Sequence, residues 1–348
     1  MKSELEIYGT LGPACADTEI LRRMFAAGIN GMRLNLSHGT LQDSAPLIGA
    51  FHRAAALEGV KPSLLIDMQG PELRIGTVKN GFQAVEGEEI LLSVKGAPSS
   101  EDGTIPVPEE IFANFEPGMV LMIDDGKILL RAKDTSDTAG ERRIRALVLS
   151  GGRILSRKSI AIRDRTVTGN TLTPQDLMNL RQASEAGVTD VMQPFVRSAQ
   201  DLMEVRRVME ENGAGSCRLF AKIENRTGID ALEEILPLTD MLVIARGDLG
   251  NAVPLYKLPG VQKEISEKCL AAGVPFMVVT QMLASMEQSP VPTRAEVSDI
   301  FNAVADGASA VMITGESASG LYPVEASEFL VRTAMEGLKW RAEREKRS

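Results

Sequence analysis

One unit recurs along this chain and leaves few folds open to it. A helical stretch ends on a small residue and glycine, and an apolar run follows at once. It reads AAGINGMRLN at 26–35, EAGVTDVMQP at 185–194, AAGVPFMVVT at 271–280 and ADGASAVMIT at 305–314. Glycine there supplies the left-handed residue that closes a helix, and an unbroken apolar run reads as a strand buried on both faces. Further apolar runs lie at Ser63–Ile66, Leu219–Ile223 and Met241–Ile244, with Glu6–Leu11 at the start. Eight strands alternating with helices predict parallel pairing through helical crossovers. Eight such units predict an α/β fold of the (β/α)8 TIM-barrel type; a doubly wound open sheet is the alternative.

One segment breaks this rhythm. From about Glu72 to Arg163 the pattern is all-β: EEILLSV, MVLMI and KILLRA are punctuated by EPG, DDG and GG. Asp125-Gly126 between two apolar runs predicts a hairpin turn. The expected organisation is therefore a barrel built from residues 1–71 and 164–348, with a small β-barrel-like lid, 72–163, inserted after the third strand. Helical pattern resumes at Thr173-Pro174, an N-cap followed by proline at the first helical position. The last element predicted is a helix from Pro323 to about Arg344.

Composition removes several function classes. The 348 residues carry 38 basic and 47 acidic side chains, a formal charge of −9, with 4% aromatics. A nucleic-acid surface wants clustered Lys/Arg and stacking rings, so no nucleic-acid partner is expected. No apolar run approaches the roughly 18 residues of a membrane span. The first residues carry Glu4 and Glu6 where a signal peptide needs an apolar stretch, so a cytoplasmic location is expected. Cys15, Cys217 and Cys269 form no CxxC and suggest neither a disulfide framework nor a zinc site.

Barrel active sites lie at the C-terminal ends of the strands, and polar residues collect there. GTLGP follows strand one. Strand two runs into Arg33, Asn35 and Ser37, which share a face in extended chain. Strand three ends at Asp67, strand five at Lys222 and Glu224, strand six at Arg246 and Asp248, strand seven at Thr280, and strand eight runs into TGESASG. Taken singly, Asp67, Glu224 and Asp248 read equally well as helix caps or ion-pair members, and Lys222 as a solvated edge. His38 reads as structural and His52 as a surface residue of a helix. Taken together, two carboxylates on adjacent strand ends beside a lysine and arginines read as a divalent-metal and oxyanion site. Mg²⁺ takes one or two protein carboxylates and leaves the rest to water and substrate oxygens. Lys222 and Arg33 are then placed to neutralise phosphate or enolate charge, and the glycines of 247–250 and 314–320 free backbone N–H groups for an anion.

These motifs resemble the pyruvate kinase family. RLNLSHG at 33–39, IDMQGPELR at 66–74, IDDG at 123–126, AKIENRTG at 221–228, VIARGDLG at 243–250, VVTQMLASM at 278–286, PTRAEVSDIFNAVADGA at 292–308 and MITGESASGLYP at 312–323 are similar to that family's motifs in the same order. The resemblance implies a (β/α)8 barrel with a β lid after strand three. It implies phosphoryl transfer from phosphoenolpyruvate to ADP, giving pyruvate and ATP through an enolate held by the metal. Arg33 then holds the transferring phosphate and Lys222 stabilises it in flight. Glu224 and Asp248 bind Mg²⁺ or Mn²⁺. Asn35, Ser37, Asp67 and the Met68 carbonyl bind K⁺, with Glu72 the residue of K⁺-dependent members. The backbone of Gly247 and Asp248 takes the substrate carboxylate. Thr280 lies beside the carbon that is protonated, with Thr314 and Glu316 near the proton relay. Arg74 and Lys158 face the nucleotide phosphates. Arg33, Arg74, Lys158, Lys222 and Arg246 are expected to gather at the mouth.

The chain departs from the family in places. Met68 and Gln69 stand where threonine and lysine are usual. Ser159, Ala161 and Arg163 replace a glycine, an asparagine and a proline, and Gln193-Pro194 replaces Ala-Ser, changes assigned to the lid side or the mouth. No counterpart of the family's C-terminal allosteric domain follows the last barrel helix, so sugar-phosphate control there is not expected. Two further readings stand beside the kinase: a metal-dependent lyase, decarboxylase or carboligase working on a pyruvate-type enolate, with nucleotide use altered or lost, and a catalytically silent regulator. A small-molecule 2-oxo acid or its phosphate is the expected ligand, and a homodimer through the barrel the expected assembly.

Overall fold

Eight parallel strands close into a barrel in the order β1-β16-β15-β14-β13-β12-β3-β2. The structure is a computed structural model. It describes residues 5–37, 39–71, 73–94, 104–124, 126–138, 141–163 and 170–346. The chain divides into two compact units, Met1–Gly70 with Thr171–Ser348, and Pro71–Asn170.

The first unit begins β1 (Glu6–Thr10), α1 (Thr18–Ala27), β2 (Gly31–Asn35), α2 (Ala45–Glu58) and β3 (Ser63–Asp67). The second unit holds β4 (Phe82–Ala84), β5 (Glu89–Val94), β6 (Thr104–Val107), α3 (Glu109–Ala113), β7 (Val120–Ile123), β8 (Ile128–Thr138), β9 (Glu141–Ser150), β10 (Gly152–Ile154) and β11 (Ile160–Ile162). The first unit resumes with α4 (Pro174–Ala183), β12 (Asp190–Gln193), α5 (Ala199–Glu211), β13 (Arg218–Ile223), α6 (Arg226–Asp230), α7 (Leu232–Ile235), β14 (Met241–Ala245), α8 (Arg246–Ala252), α9 (Leu258–Ala272), β15 (Phe276–Val279), α10 (Arg294–Ala305), β16 (Ala310–Met312), α11 (Gly315–Ala318) and α12 (Pro323–Glu345).

The repeated glycines act as the sequence predicts. Gly28 at φ 113° and Gly273 at φ 69° are left-handed residues just past α1 and α9, and their N–H groups close the last helical turns. Thr173 caps α4 in a reciprocal box with Asp176, and Thr293 caps α10 in the same way with Glu296. Alternation along the strands sorts side chains between two cores. Tyr8, Leu65, Met192, Phe220, Val243, Met277 and Met312 fill the barrel, while Leu34, Ile66, Val191, Ile223, Ile244 and Val278 pack outward under the helices. At the N-terminal end, Arg218 donates to Glu6 at 2.8 and 2.9 Å and to Asp190 at 2.6 Å, and the Tyr8 hydroxyl donates to Glu6 at 2.7 Å. Charge pairing there serves the stability face of a barrel. No described helix is long and apolar enough to cross a membrane.

In the second unit, the described strands form a six-stranded sheet, β11-β7-β8-β9-β5-β6, and a separate two-stranded pair, β10-β4. Among the described residues these two sheets are not paired into one ring. The edge strand β6 contains Pro106, which has no N–H to extend the ladder. The all-β reading also missed α3, too short for a helical period to show. β7 and β8 pair antiparallel with Ile123 opposite Ile128; the Asp125 of the predicted turn lies outside the described residues, as do His38 and Glu72.

Candidate active site

The alternation that fills the barrel continues to the C-terminal strand ends, where the inward side chains become polar. A cavity of about 510 Å³ opens there, lined among others by Thr10, Arg33, Asn35, Asp67, Lys222, Glu224, Gly247, Asp248, Thr280 and Thr314. Pairing puts Asn35 opposite Asp67, so β2 and β3 deliver these two groups at one level.

Lys222 lies at the centre. Its Nζ is 3.0 Å from Glu224 Oε1 and 3.3 Å from Asp67 Oδ2. Arg33 reaches the same Asp67 oxygen, with Nε at 2.8 Å and Nη2 at 2.7 Å. Burial disfavours the Asp67 carboxylate, but Lys222 and Arg33 overcome that and hold its pKa below the ordinary value. Burial also disfavours the Lys222 ammonium, yet Asp67 and Glu224 keep its pKa above the usual lysine range. Glu224 is different. Burial, with Asp248 and Asp67 nearby, pushes its pKa up to about 7 against the pull of Lys222. Its Oε2 accepts the Phe195 N–H at 2.8 Å.

The lining residues therefore set Arg33 and Lys222 against Asp67, Glu224 and Asp248. The excess of carboxylate, felt at Glu224, favours an added cation. Glu224 directly follows β13 and Asp248 lies in the first turn of α8 after β14. Among the described residues no group of three or more His, Cys, Asp or Glu could enclose a metal. Two hard oxygen donors without a closed cage fit Mg²⁺, which keeps positions for water and substrate. The monovalent set is also all oxygen, but only Asn35 and Asp67 reach the cavity. Ser37 lies past the end of β2, where its N–H bonds Asn35 Oδ1 at 3.1 Å. The Met68 side chain is buried in the outer core, and its N–H donates to the Met192 carbonyl at 3.0 Å.

Thr280 and Thr314 line the cavity; Glu316 does not. Glu316 is buried, with Oε1 accepting the Leu283 N–H at 2.9 Å and Oε2 the Thr314 N–H at 2.7 Å. It ties the turn after β15 to the end of β16. Thr280 has φ 80° and Gln281 φ 57°. For a β-branched residue this is strained backbone, at about 1–3 kcal/mol.

The structure corrects two placements. Arg246 is absent from the cavity lining: its guanidinium donates to the Thr280 carbonyl at 2.7 and 3.2 Å and to Asp299 Oδ1 at 2.8 Å. A partly buried cation must be paired, and Asp299 of α10 supplies the charge. Gln193 is not at the mouth either. It is buried and donates to the Thr171 and Pro194 carbonyls at 3.0 and 3.1 Å. Arg74 and Lys158 belong to the second unit, where Lys158 pairs with Asp124 at 2.7 Å and Arg74 donates to the Arg157 carbonyl at 2.9 Å.

The sequence points to the GTLGP segment after strand one without singling out Thr10, which lines the cavity, and it gives no sign of the Phe195 N–H, a backbone group no side-chain pattern reveals. It also passed over Asp176. That buried carboxylate accepts the N–H groups of Gln69, Gly70 and Thr173 at 2.8, 3.0 and 2.9 Å. It thereby joins the two points at which the barrel chain is interrupted. The capping-box spacing from Thr173 was its visible signal.

The chain is similar throughout to one group of known proteins. The family model described as pyruvate kinase, barrel domain, matches residues 2–327. A pyruvate kinase of Agrobacterium vitis is 40% identical over 332 residues, covering 94% of this chain and 68% of that protein. One from Sporosarcina psychrophila is 36% identical over 331 residues, covering 95% and 56%. One from Geobacillus stearothermophilus is 36% identical over 339 residues, covering 96% and 57%. The chain thus spans between about half and two thirds of the length of these relatives.

Proposed function

The chain belongs to the pyruvate kinase family, and from that premise we propose that it transfers the phosphoryl group of phosphoenolpyruvate to ADP, yielding pyruvate and ATP. The observation that carries the reading is Lys222 held between Asp67 and Glu224, with Arg33 also bound to Asp67, in one cavity. Phosphoryl transfer needs little covalent help from the protein and depends on positioning and charge neutralisation.

Each side chain has a part. Arg33 and Lys222 face the transferring group with two positive charges whose geometry is already fixed by Asp67, so little reorganisation accompanies the reaction. Glu224 and Asp248 hold a divalent cation, Mg²⁺ or Mn²⁺, which supplies charge stabilisation for the oxygens of the phosphate and of the enolate. Asn35, Ser37, Asp67 and the Met68 carbonyl are the proposed K⁺ donors. The backbone at Gly247 and Asp248 receives the substrate carboxylate. Thr280 orients a proton toward the carbon that becomes the methyl group of pyruvate, and Thr314 lines the same cavity, held by Glu316. Arg74 and Lys158, on the proposed lid of 72–163, bind the nucleotide phosphates. A homodimer through the barrel and a cytoplasmic location complete the proposal. Nothing in the comparisons favours the lyase reading, since the relatives named are pyruvate kinases.

The test is direct. The protein is incubated with phosphoenolpyruvate, ADP, Mg²⁺ and K⁺, and pyruvate is followed. Turnover that needs all of the substrates and the divalent ion is expected. Absence of pyruvate under these conditions rejects the assignment.

A further inference from the structure

Thr280 follows β15 in a backbone conformation that a β-branched residue rarely adopts, and Gln281 repeats it. Such backbone persists only where the surroundings impose it. Arg246 grips this backbone. Its Nη2 and Nε both donate to the Thr280 carbonyl, at 2.7 and 3.2 Å, and its Nη1 donates to Asp299. A planar guanidinium held at both ends fixes the direction of the carbonyl it grips. That carbonyl sets the 280–281 peptide plane, and with it the direction in which the Thr280 side chain leaves. Gly247 controls the other side. A Cβ there would lie 3.1 Å from Thr280 Cγ2, a tight approach, and 3.7 Å from its Oγ1, an ordinary contact, so the Thr280 methyl packs closely against Gly247. The next residue, Asp248, lines the cavity with Thr280. One turn of chain thus carries a cavity carboxylate and the clamp on the backbone carbonyl of a cavity threonine.

We propose that Arg246, braced by Asp299, is a positioning residue for the Thr280 hydroxyl, and that it serves the step in which the enolate carbon takes up a proton. The inference rests on the kinase reading of the site and adds to it a residue that touches no substrate. Arg246 acts through Thr280, so its loss appears in kcat rather than in the KM for phosphoenolpyruvate.

The experiment compares Arg246→Met, Thr280→Val and the double variant with wild type. Two quantities are read: steady-state phosphoenolpyruvate turnover, and exchange of pyruvate methyl protons in D₂O with Mg²⁺, followed by NMR. Arg246→Met is expected to lower kcat and exchange on the order of 10²-fold, the effect of an ångström-scale misplacement, with KM nearly unchanged. The double variant should fall no further than Thr280→Val alone, because both changes remove the same alignment. Multiplicative losses, or a rise in KM with kcat retained, overturn the proposal. Should Arg246→Met fail to fold, Asp299→Asn is the probe: a smaller loss in the same kcat supports the proposal and an unchanged kcat overturns it. An active wild type with unaffected variants defeats this inference alone; a wild type inactive in both assays defeats the kinase reading on which it rests.

Discussion

Lys222 and Glu224 are two apart in sequence and stay on one face because both follow the period of an extended strand. Arg246 and Asp248 have the same spacing and part company. α8 begins at Arg246, so the period there is helical, and only Asp248 turns into the cavity. Ser37 leaves the face that Arg33 and Asn35 share for a different reason: β2 ends at Asn35 and Ser37 lies in the turn after it. Glu224→Gln and Asp248→Asn should each lower metal-dependent turnover by more than about 100-fold, since even outer partners of a metal are worth 10–100-fold. Steady-state rates across a Mg²⁺ titration check this; full activity in either variant shows that the donors lie elsewhere. The strand-borne half of the site was therefore legible in the sequence, by counting in twos. The clamp on Thr280 was not, because its acceptor is a backbone carbonyl, and neither was the Phe195 N–H on Glu224.

Elements are legible to the extent that their ends are chemically marked. The glycines after α1 and α9 and the cap at Thr173 all fall where the sequence puts them. The ring or sheet character of the second unit carried no such mark, since strand order there depends on pairing between distant segments. Glycine positions also separate two costs. Gly273 has φ 69° with open space where a methyl group would go, so Gly273→Ala should lose only about 1 kcal/mol from the left-handed backbone. Gly31 has a Cβ position 2.3 Å from the ring of buried Tyr8, so Gly31→Ala should lose at least about 2 kcal/mol through overpacking. Urea denaturation of the two variants measures the difference; equal losses contradict the packing described. The β12–α5 turn that presents the Phe195 N–H is held by Asp201, which accepts from the Arg197 backbone and Nε at 2.8 and 3.1 Å and from Thr171 Oγ1 at 3.0 Å. Burial disfavours the Asp201 carboxylate, but the Arg197 bonds prevail and its pKa is lowered. A carboxyl lowered by folding adds stability that is full above the unfolded value of about 3.9 and is lost as pH falls through the folded value. Wild type should therefore lose thermal stability on acidification below about pH 4 more steeply than Arg197→Met does. Parallel curves for the two proteins contradict the pairing.

At the scale of the molecule, the chain carries a net charge of −9 and yet places Arg33 and Lys222 in the cavity at the strand ends. The two facts are compatible because both cations are held by Asp67 inside the barrel, away from the surface that sets the overall field. The barrel itself was readable from eight marked strands, and its closure puts every strand end at one mouth. Under the proposed function, this mouth passes a phosphoryl group from phosphoenolpyruvate to ADP. It is tested most directly by phosphorus NMR of the protein with both substrates, Mg²⁺ and K⁺. The phosphoenolpyruvate signal is expected to fall as the γ-phosphate signal of ATP rises in equal amount, and chelation of the divalent ion to stop both. Loss of phosphoenolpyruvate to inorganic phosphate, with no ATP formed, or no change in either signal, contradicts it.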